Sequence, residues 1–192
     1  MKCDIRKFFD SIDQEILLKI LNESIEDKDI TWLLERVIKS FHSTKGGKGL
    51  PLGNLTSQLL VNIYMNKFDQ WIKHKIKVKY YIRYVDDFVV LSENKEYLLE
   101  LIPKIQNFLA EELKLSLHPN KVFIKTFYSG VDFLGWVNFP KHRVLRTATK
   151  RKMFRNLLLN NRKEPVIQSY LGLLKHGNGY KLEKEIICLP KI

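Results

Sequence analysis

Cysteine is almost absent: Cys3 and Cys188 are the only two, at opposite ends of the chain. Neither has a neighbour at the spacing of a zinc site or of a disulfide framework, so the expected compartment is a reducing cytosol. Long apolar runs are missing too. No stretch approaches the ~18–20 residues that span a bilayer, and the opening MKCDIRKFFD is too charged for a secretory signal. The reading is of a cytoplasmic protein that avoids membranes. Acids are in short supply, 21 against 33 lysines and arginines, for a formal charge of +12; that balance favours a polyanionic partner such as nucleic acid. Internal repeats and low-complexity segments are lacking as well. What is present is apolar substance, 45% of 192 residues, enough for a buried core in one large domain or slightly more.

The patterning predicts a mixed fold. KCDI reads as a short strand and SIDQEILLKIL as a helix capped by Ser11 or Asp13, with Ile16, Leu17, Ile20 and Leu21 at helical spacing. ITWLLERVIKSF predicts a second helix, HSTKGGKGLPLGN a loop, and Leu55 to about Lys75 a long helix. KYYIRY and FVVLS read as two strands of a hairpin with Val85, Asp86 and Asp87 at its turn. A helix from about Lys95 to Glu112 follows, then KVFIKTF as a strand and VDFLGWVNF as a strand or hairpin. This order fits an α+β fold, an antiparallel sheet with helices on one face, over residues 1–140. From Lys141 to Lys163 there are nine lysines or arginines and no acid, and residues 141–192 read as a smaller basic helical module. The run Lys73, Lys75, Lys77, Lys79 reads as a solvated edge.

YYIRYVDDFVVL sets two aspartates between apolar runs. Adjacent carboxylates oppose each other's ionisation, and apolar surroundings add to the cost unless a cation balances them. If the strand ending at Asp4 neighbours this hairpin, Asp4, Asp86 and Asp87 converge into an oxygen cage suited to Mg²⁺. Two such ions activate an attacking hydroxyl and stabilise the leaving oxygen in phosphoryl transfer. The plain alternative is that aspartate is a common turn residue; Asp10 and Asp13 read as helix caps.

In order along the chain, CDIRKFF, GLPLGNLTSQ, YVDD, HPNKVF and FLGW resemble the motifs of reverse transcriptases, spread over about 135 residues. The resemblance implies a right-hand polymerase palm followed by a helical thumb, with QSYLGLLKHGN similar to the thumb of bacterial enzymes. Group II intron and retroviral enzymes usually carry Gln-Gly and Ser-Pro in the middle motif. Here stand Leu52-Gly53 and Ser57-Gln58, a pattern that resembles the enzymes of diversity-generating retroelements. By resemblance Asp4, Asp86, Asp87 and the Ile5 carbonyl hold two Mg²⁺ ions, with Mn²⁺ as a possible substitute, and Lys121 protonates or neutralises the departing pyrophosphate. Phe9 is then the steric gate against a 2′-hydroxyl, and Leu52, Gly53, Ser57 and Gln58 line the nucleotide pocket. Phe133, Leu134 and Gly135 form the primer grip, and Arg146, Lys150, Arg151, Lys152 and Arg155 track the template-primer backbone.

The implied activity is synthesis of DNA on an RNA template from a primer and deoxynucleoside triphosphates, with low fidelity and in a bacterial or phage setting. Only three residues precede Asp4, where the family places a fingers region. The expectation is therefore exposed apolar surface and self-association, or an accessory protein or second chain that supplies the fingers. A group II-like or phage-defence enzyme is the nearest alternative. A non-catalytic RNA-binding or maturation factor is the alternative of another class, against which the three retained aspartates speak.

Overall fold

The structure, a computed structural model, describes residues 1–41 and 46–188. The first residues of the expected loop, 42–45, and the last four of the chain lie outside the described residues. The chain divides into two compact units between Ile124 and Lys125.

The first unit runs β1 (Lys2–Asp4), α1 (Phe8–Ser11), α2 (Gln14–Ser24), α3 (Lys28–Lys39), α4 (Leu55–Gln70), a π-helical turn (Trp71–Lys75), β2 (Tyr80–Tyr84), β3 (Asp87–Leu91) and α5 (Lys95–Leu113). The strands form an antiparallel sheet in the order β1-β3-β2. Its two faces differ as strand alternation requires. Cys3, Phe88 and Val90 enter the core with α4 and α5, whereas Tyr80, Ile82 and Tyr84 stay exposed. Phe68 of α4 is fully buried and meets the rings of Trp71, Tyr81, Phe88 and Phe108 at centroid distances of 5.2–6.1 Å. From α5, Leu98, Leu101, Ile105, Leu109 and Leu113 are buried at helical spacing. α3 leaves Ile30, Trp32, Leu33 and Val37 on the surface.

Of the two expected caps, Asp13 is the one used. Its Oδ1 accepts from the Ile16 N–H at 3.1 Å and its Oδ2 from Lys114 Nζ at 2.9 Å. Its own N–H donates to the Tyr64 hydroxyl, which donates to the Leu113 carbonyl at 2.7 Å. Burial opposes ionisation of Asp13, but the bonds from Lys114 and Ile16 and the charges of Lys114 and Lys48 outweigh it, and the carboxyl is held below its ordinary 3.8. A depressed folded value contributes stability that is complete above the unfolded value and disappears as pH falls through the folded one. Asn caps as well as Asp, so Asp13→Asn isolates the charge. We expect it to cost about 1 kcal/mol at pH 7. Urea melts at pH 7 and near pH 3 check this, since the gap between wild type and variant closes in acid.

KVFIKTF does not form the expected strand. Its alternation is real, yet β1 ends at Asp4 and the chain turns at Lys7, φ 45°. Among the described residues the segment meets β1 at one bridge, between Lys2 and Phe123, while the His118 N–H donates to the Asp4 carbonyl and a second bridge joins Ile5 to Leu117.

The second unit holds a 3-10 turn (Phe127–Ser129), β4 (Val131–Phe133), β5 (Trp136–Asn138), β6 (Arg143–Leu145), α6 (Thr147–Leu159), α7 (Glu164–Leu174) and α8 (Tyr180–Cys188). β5 pairs with β4 on one side and β6 on the other, so residues 131–145 are one sheet. Its Trp136 and Leu145 share a core with Met153, Leu157, Leu174 and Ile186. The change of charge at residue 141 therefore marks a surface, and the division of the fold comes earlier than 140. No helix among the described residues is long and apolar enough to cross a membrane.

Candidate active site

The register of the sheet places Asp4 directly opposite Asp87. Opposed like charges on one sheet face destabilise it, and a lysine stands at each. Lys121 Nζ lies 3.2 and 3.0 Å from the two carboxylate oxygens of Asp4, and Lys2 Nζ lies 3.1 Å from Asp87. Lys121 is brought there because the His118 N–H donates to the Asp4 carbonyl and the Lys121 N–H to the His118 carbonyl.

Asp86 occupies the hairpin turn with Val85 and has no ion pair among the described residues. Burial, followed by the charges of Asp4 and Asp87, pushes its carboxyl above the ordinary range, against a bond from its own backbone N–H and the charge of Lys121. Val85 holds φ 57°, a left-handed conformation that costs a β-branched residue about 1–3 kcal/mol. Arg83 braces this turn. Its Nη1 donates to the Val85 carbonyl at 2.9 Å, while its Nε and Nη2 donate to the two oxygens of Asp69 on α4 at 2.9 and 2.6 Å. The Tyr81 hydroxyl donates to the same Asp69 at 2.6 Å, and burial, reinforced by Asp69, pushes that phenol far up.

The closed cage expected of three carboxylates is not assembled: among the described residues no group of three or more His, Cys, Asp or Glu side chains is gathered to hold an ion. The physical reason is visible, since Asp4 turns to Lys121 and Asp87 to Lys2 rather than towards each other. The donor set nevertheless fits a hard divalent cation. Among the described residues Asp87 Oδ1 is buried without a hydrogen-bond partner and Asp86 is in no ion pair, and oxygen donors with open positions suit Mg²⁺ and substrate phosphates.

The loop entering α4 is stitched to the start of the chain. Leu50 N–H donates to the Phe9 carbonyl at 2.9 Å and Gly49 N–H to the Ile12 carbonyl at 2.8 Å. Buried Gln14 donates through Nε2 to the carbonyls of both Phe41 and Gly49. Gly53 takes φ 91° to turn the chain into α4. Phe8 is in the core and Phe9 is half-buried. Ser57 is buried, whereas Gln58 is exposed and Leu52 is 74% exposed.

The reverse transcriptase (RNA-dependent DNA polymerase) family matches residues 1–138. The chain belongs to this family. It is 24% identical over 197 residues to a COX1/OXI3 intron 2 protein of Saccharomyces cerevisiae, covering 71% of this chain and 23% of that protein. It is 27% identical over 184 residues to the Escherichia coli protein YkfC, covering 77% and 47% respectively. Against the group II intron-encoded protein LtrA of Lactococcus lactis subsp. cremoris it is 22% identical over 218 residues, covering 78% and 35%. The chain thus spans less than half the length of these curated relatives.

Other reverse transcriptase candidates fall in the second unit. Phe133, Leu134 and Gly135 make the β4–β5 turn, with φ 53° at Leu134 and 80° at Gly135, the left-handed pair that a tight two-residue hairpin turn requires. Arg146 is committed locally: its N–H donates to the Gly135 carbonyl and its side chain pairs with Asp132 at 3.0 Å. Lys150 faces Glu185 at 3.6 Å. Arg151, Lys152 and Arg155 are exposed on α6 and in no ion pair among the described residues.

The sequence pattern did not single out Lys2, Gln14, Asp69 or Arg83. Lys2 was accessible in principle, because it lies two residues before Asp4 and so on the same strand face. Asp69 and Arg83 are fourteen residues apart on a helix and a strand, a separation with no periodic signal.

Proposed function

We propose that this chain carries the catalytic centre of an RNA-directed DNA polymerase. The observation that supports it most is the register that sets Asp4 opposite Asp87, with Asp86 in the adjoining turn and Lys121 on Asp4, within the segment that matches the family. Asp4, Asp86, Asp87 and the Ile5 carbonyl would hold divalent ions, Mg²⁺ with Mn²⁺ as a substitute. Bound there, such ions supply charge stabilisation and a more acidic attacking hydroxyl. The chain's own groups do the rest. Lys121, within reach of Asp4, neutralises or protonates the departing pyrophosphate. Phe9 bars a 2′-hydroxyl, and Gly53, Ser57 and Gln58 shape the nucleotide pocket. Phe133, Leu134 and Gly135 seat the primer end, and the α6 cations with Arg146 and Lys150 follow the template-primer phosphates.

Primer extension on an annealed RNA template with Mg²⁺ and deoxynucleotides tests this reading. Template binding without any nucleotide addition would leave a non-catalytic RNA-binding factor in its place.

The Leu52-Gly53 and Ser57-Gln58 pattern supports the finer reading of a diversity-generating enzyme working with an accessory protein. Leu52 is largely exposed, so its leucine is not explained by burial in the core. A glutamine there can hydrogen-bond the nucleotide or its surroundings, whereas leucine offers apolar contact alone, which weakens a geometric check on the base pair. Leu52→Gln is expected to lower misincorporation severalfold, read by sequencing products. An unchanged error spectrum in an active variant removes the low-fidelity reading.

A further inference from the structure

The cations of residues 73–79 take no part in the arrangement above. The sequence holds no acid between Asp69 and Asp86, and Lys73, His74, Lys75, Lys77 and Lys79 follow one another through the π-helical turn into β2. All five are exposed. Among the described residues none of the four lysines takes part in an ion pair.

The apolar residues between them fix how they are displayed. Ile72 and Val78 are buried and Ile76 packs on the same core, so the backbone is held at three points while the ammonium groups face outward. Lys77 keeps φ 60°, where glycine or asparagine would be less strained. Lys79 lies 5.2 Å from the ring centroid of Tyr80, which is 55% exposed. A held array of unbalanced like charges repels itself, and a polyanion relieves that repulsion. Lysine ammonium groups lack the planar fork of arginine, so they suit backbone phosphates rather than base edges. The array stands at the Tyr80 end of β2, and Asp86 follows the Tyr84 end, about 15 Å of strand away.

We propose that Lys73, Lys75, Lys77 and Lys79 form a binding site for the phosphate backbone of a nucleic-acid duplex, separate from the carboxylate site. It holds the duplex independently of sequence and of nucleotide addition. Because binding is read directly, its failure is distinguishable from failure of the polymerase reading.

The test compares the full chain with a variant carrying Lys→Gln at 73, 75, 77 and 79, and with a control carrying Lys→Gln at the exposed positions 19, 28, 95 and 104. Both variants lose the same net charge. Affinity for an RNA duplex of several turns, a DNA duplex of the same length and anionic phospholipid vesicles is measured from ~50 to ~200 mM salt, with circular dichroism confirming the fold. If each lysine engages one phosphate, the loss of duplex affinity over that salt range is about a hundredfold smaller in the patch variant than in wild type. The control keeps the wild-type salt slope. A stronger response with RNA or with DNA identifies which duplex the site serves. Equal losses in the two variants, unchanged duplex binding in the patch variant, or a response confined to vesicles would each overturn the proposal.

Discussion

Asp86→Asn is expected to abolish the proposed templated nucleotide addition, by about a thousandfold or more, without lowering the melting temperature. Both halves follow from the same geometry. Asp86 sits in the hairpin turn with its ionisation opposed by burial and by Asp4 and Asp87, and no ion pair among the described residues depends on it. Its negative charge is therefore unfavourable to the fold and useful only when a cation or a phosphate-bound cation meets it. Removing that charge relieves repulsion while deleting an oxygen donor of full charge, which is the expected behaviour of a group kept for chemistry at the expense of stability. Primer extension paired with a thermal melt measures the two effects on the same samples. A variant that extends primers within tenfold of wild type would remove Asp86 from the catalytic set. One that is inactive because it is unfolded would show that the turn needs the carboxylate for structure.

Asp69→Leu is expected to destabilise the first unit by about 3 kcal/mol, and Arg83→Leu by a similar amount, while the double substitution costs much less than their sum. The Arg83 side chain is only 8% exposed and spends two nitrogens on Asp69. Deleting one partner strands the other charge in a poorly solvated place, whereas two leucines pack against each other. A loss of this size is a large share of the 5–15 kcal/mol that holds an average domain together. Function follows the pair as well, because Arg83 also grips the Val85 carbonyl beside Asp86. Denaturant melts of the four proteins give the coupling energy directly. Simple additivity would mean that the pair does not brace the hairpin, and the strained Val85 would then need another support.

Local patterns in the sequence anticipated local structure. The alternation of YYIRY, the apolar run FVVL and the two aspartates between them predicted the hairpin; β2 and β3 form it, although Asp87 proves to open β3 rather than to lie in the turn. The helix expected from about Lys95 to Glu112 is α5, and Asp13 capped α2 as one of the two candidates. Long-range choices were hidden. Nothing in KVFIKTF reveals that it meets β1 at Lys2 alone, and nothing in composition reveals that β6, inside the basic stretch, belongs with the hairpin before it. The same holds at the site. Motif order pointed to the three aspartates and Lys121, but the pairing of Lys121 with Asp4 and of Lys2 with Asp87, and the arginine behind the turn, are products of register and helix packing that the folded chain displays.

The hydrogen-bonded chain through Asp13 has a consequence for how the first unit comes apart. Lys114, Asp13, Tyr64 and the Leu113 carbonyl join the beginning of α2, the middle of α4 and the end of α5 in one continuous circuit. Parting α4 from either neighbour leaves the buried Tyr64 hydroxyl, or the Asp13 N–H or Leu113 carbonyl that it binds, without a partner in the interior, where each unmet group costs about 1–3 kcal/mol. The Tyr64 hydroxyl therefore couples the opening of α4 to that of its two neighbours, and the three behave more as one block than as independently breathing segments.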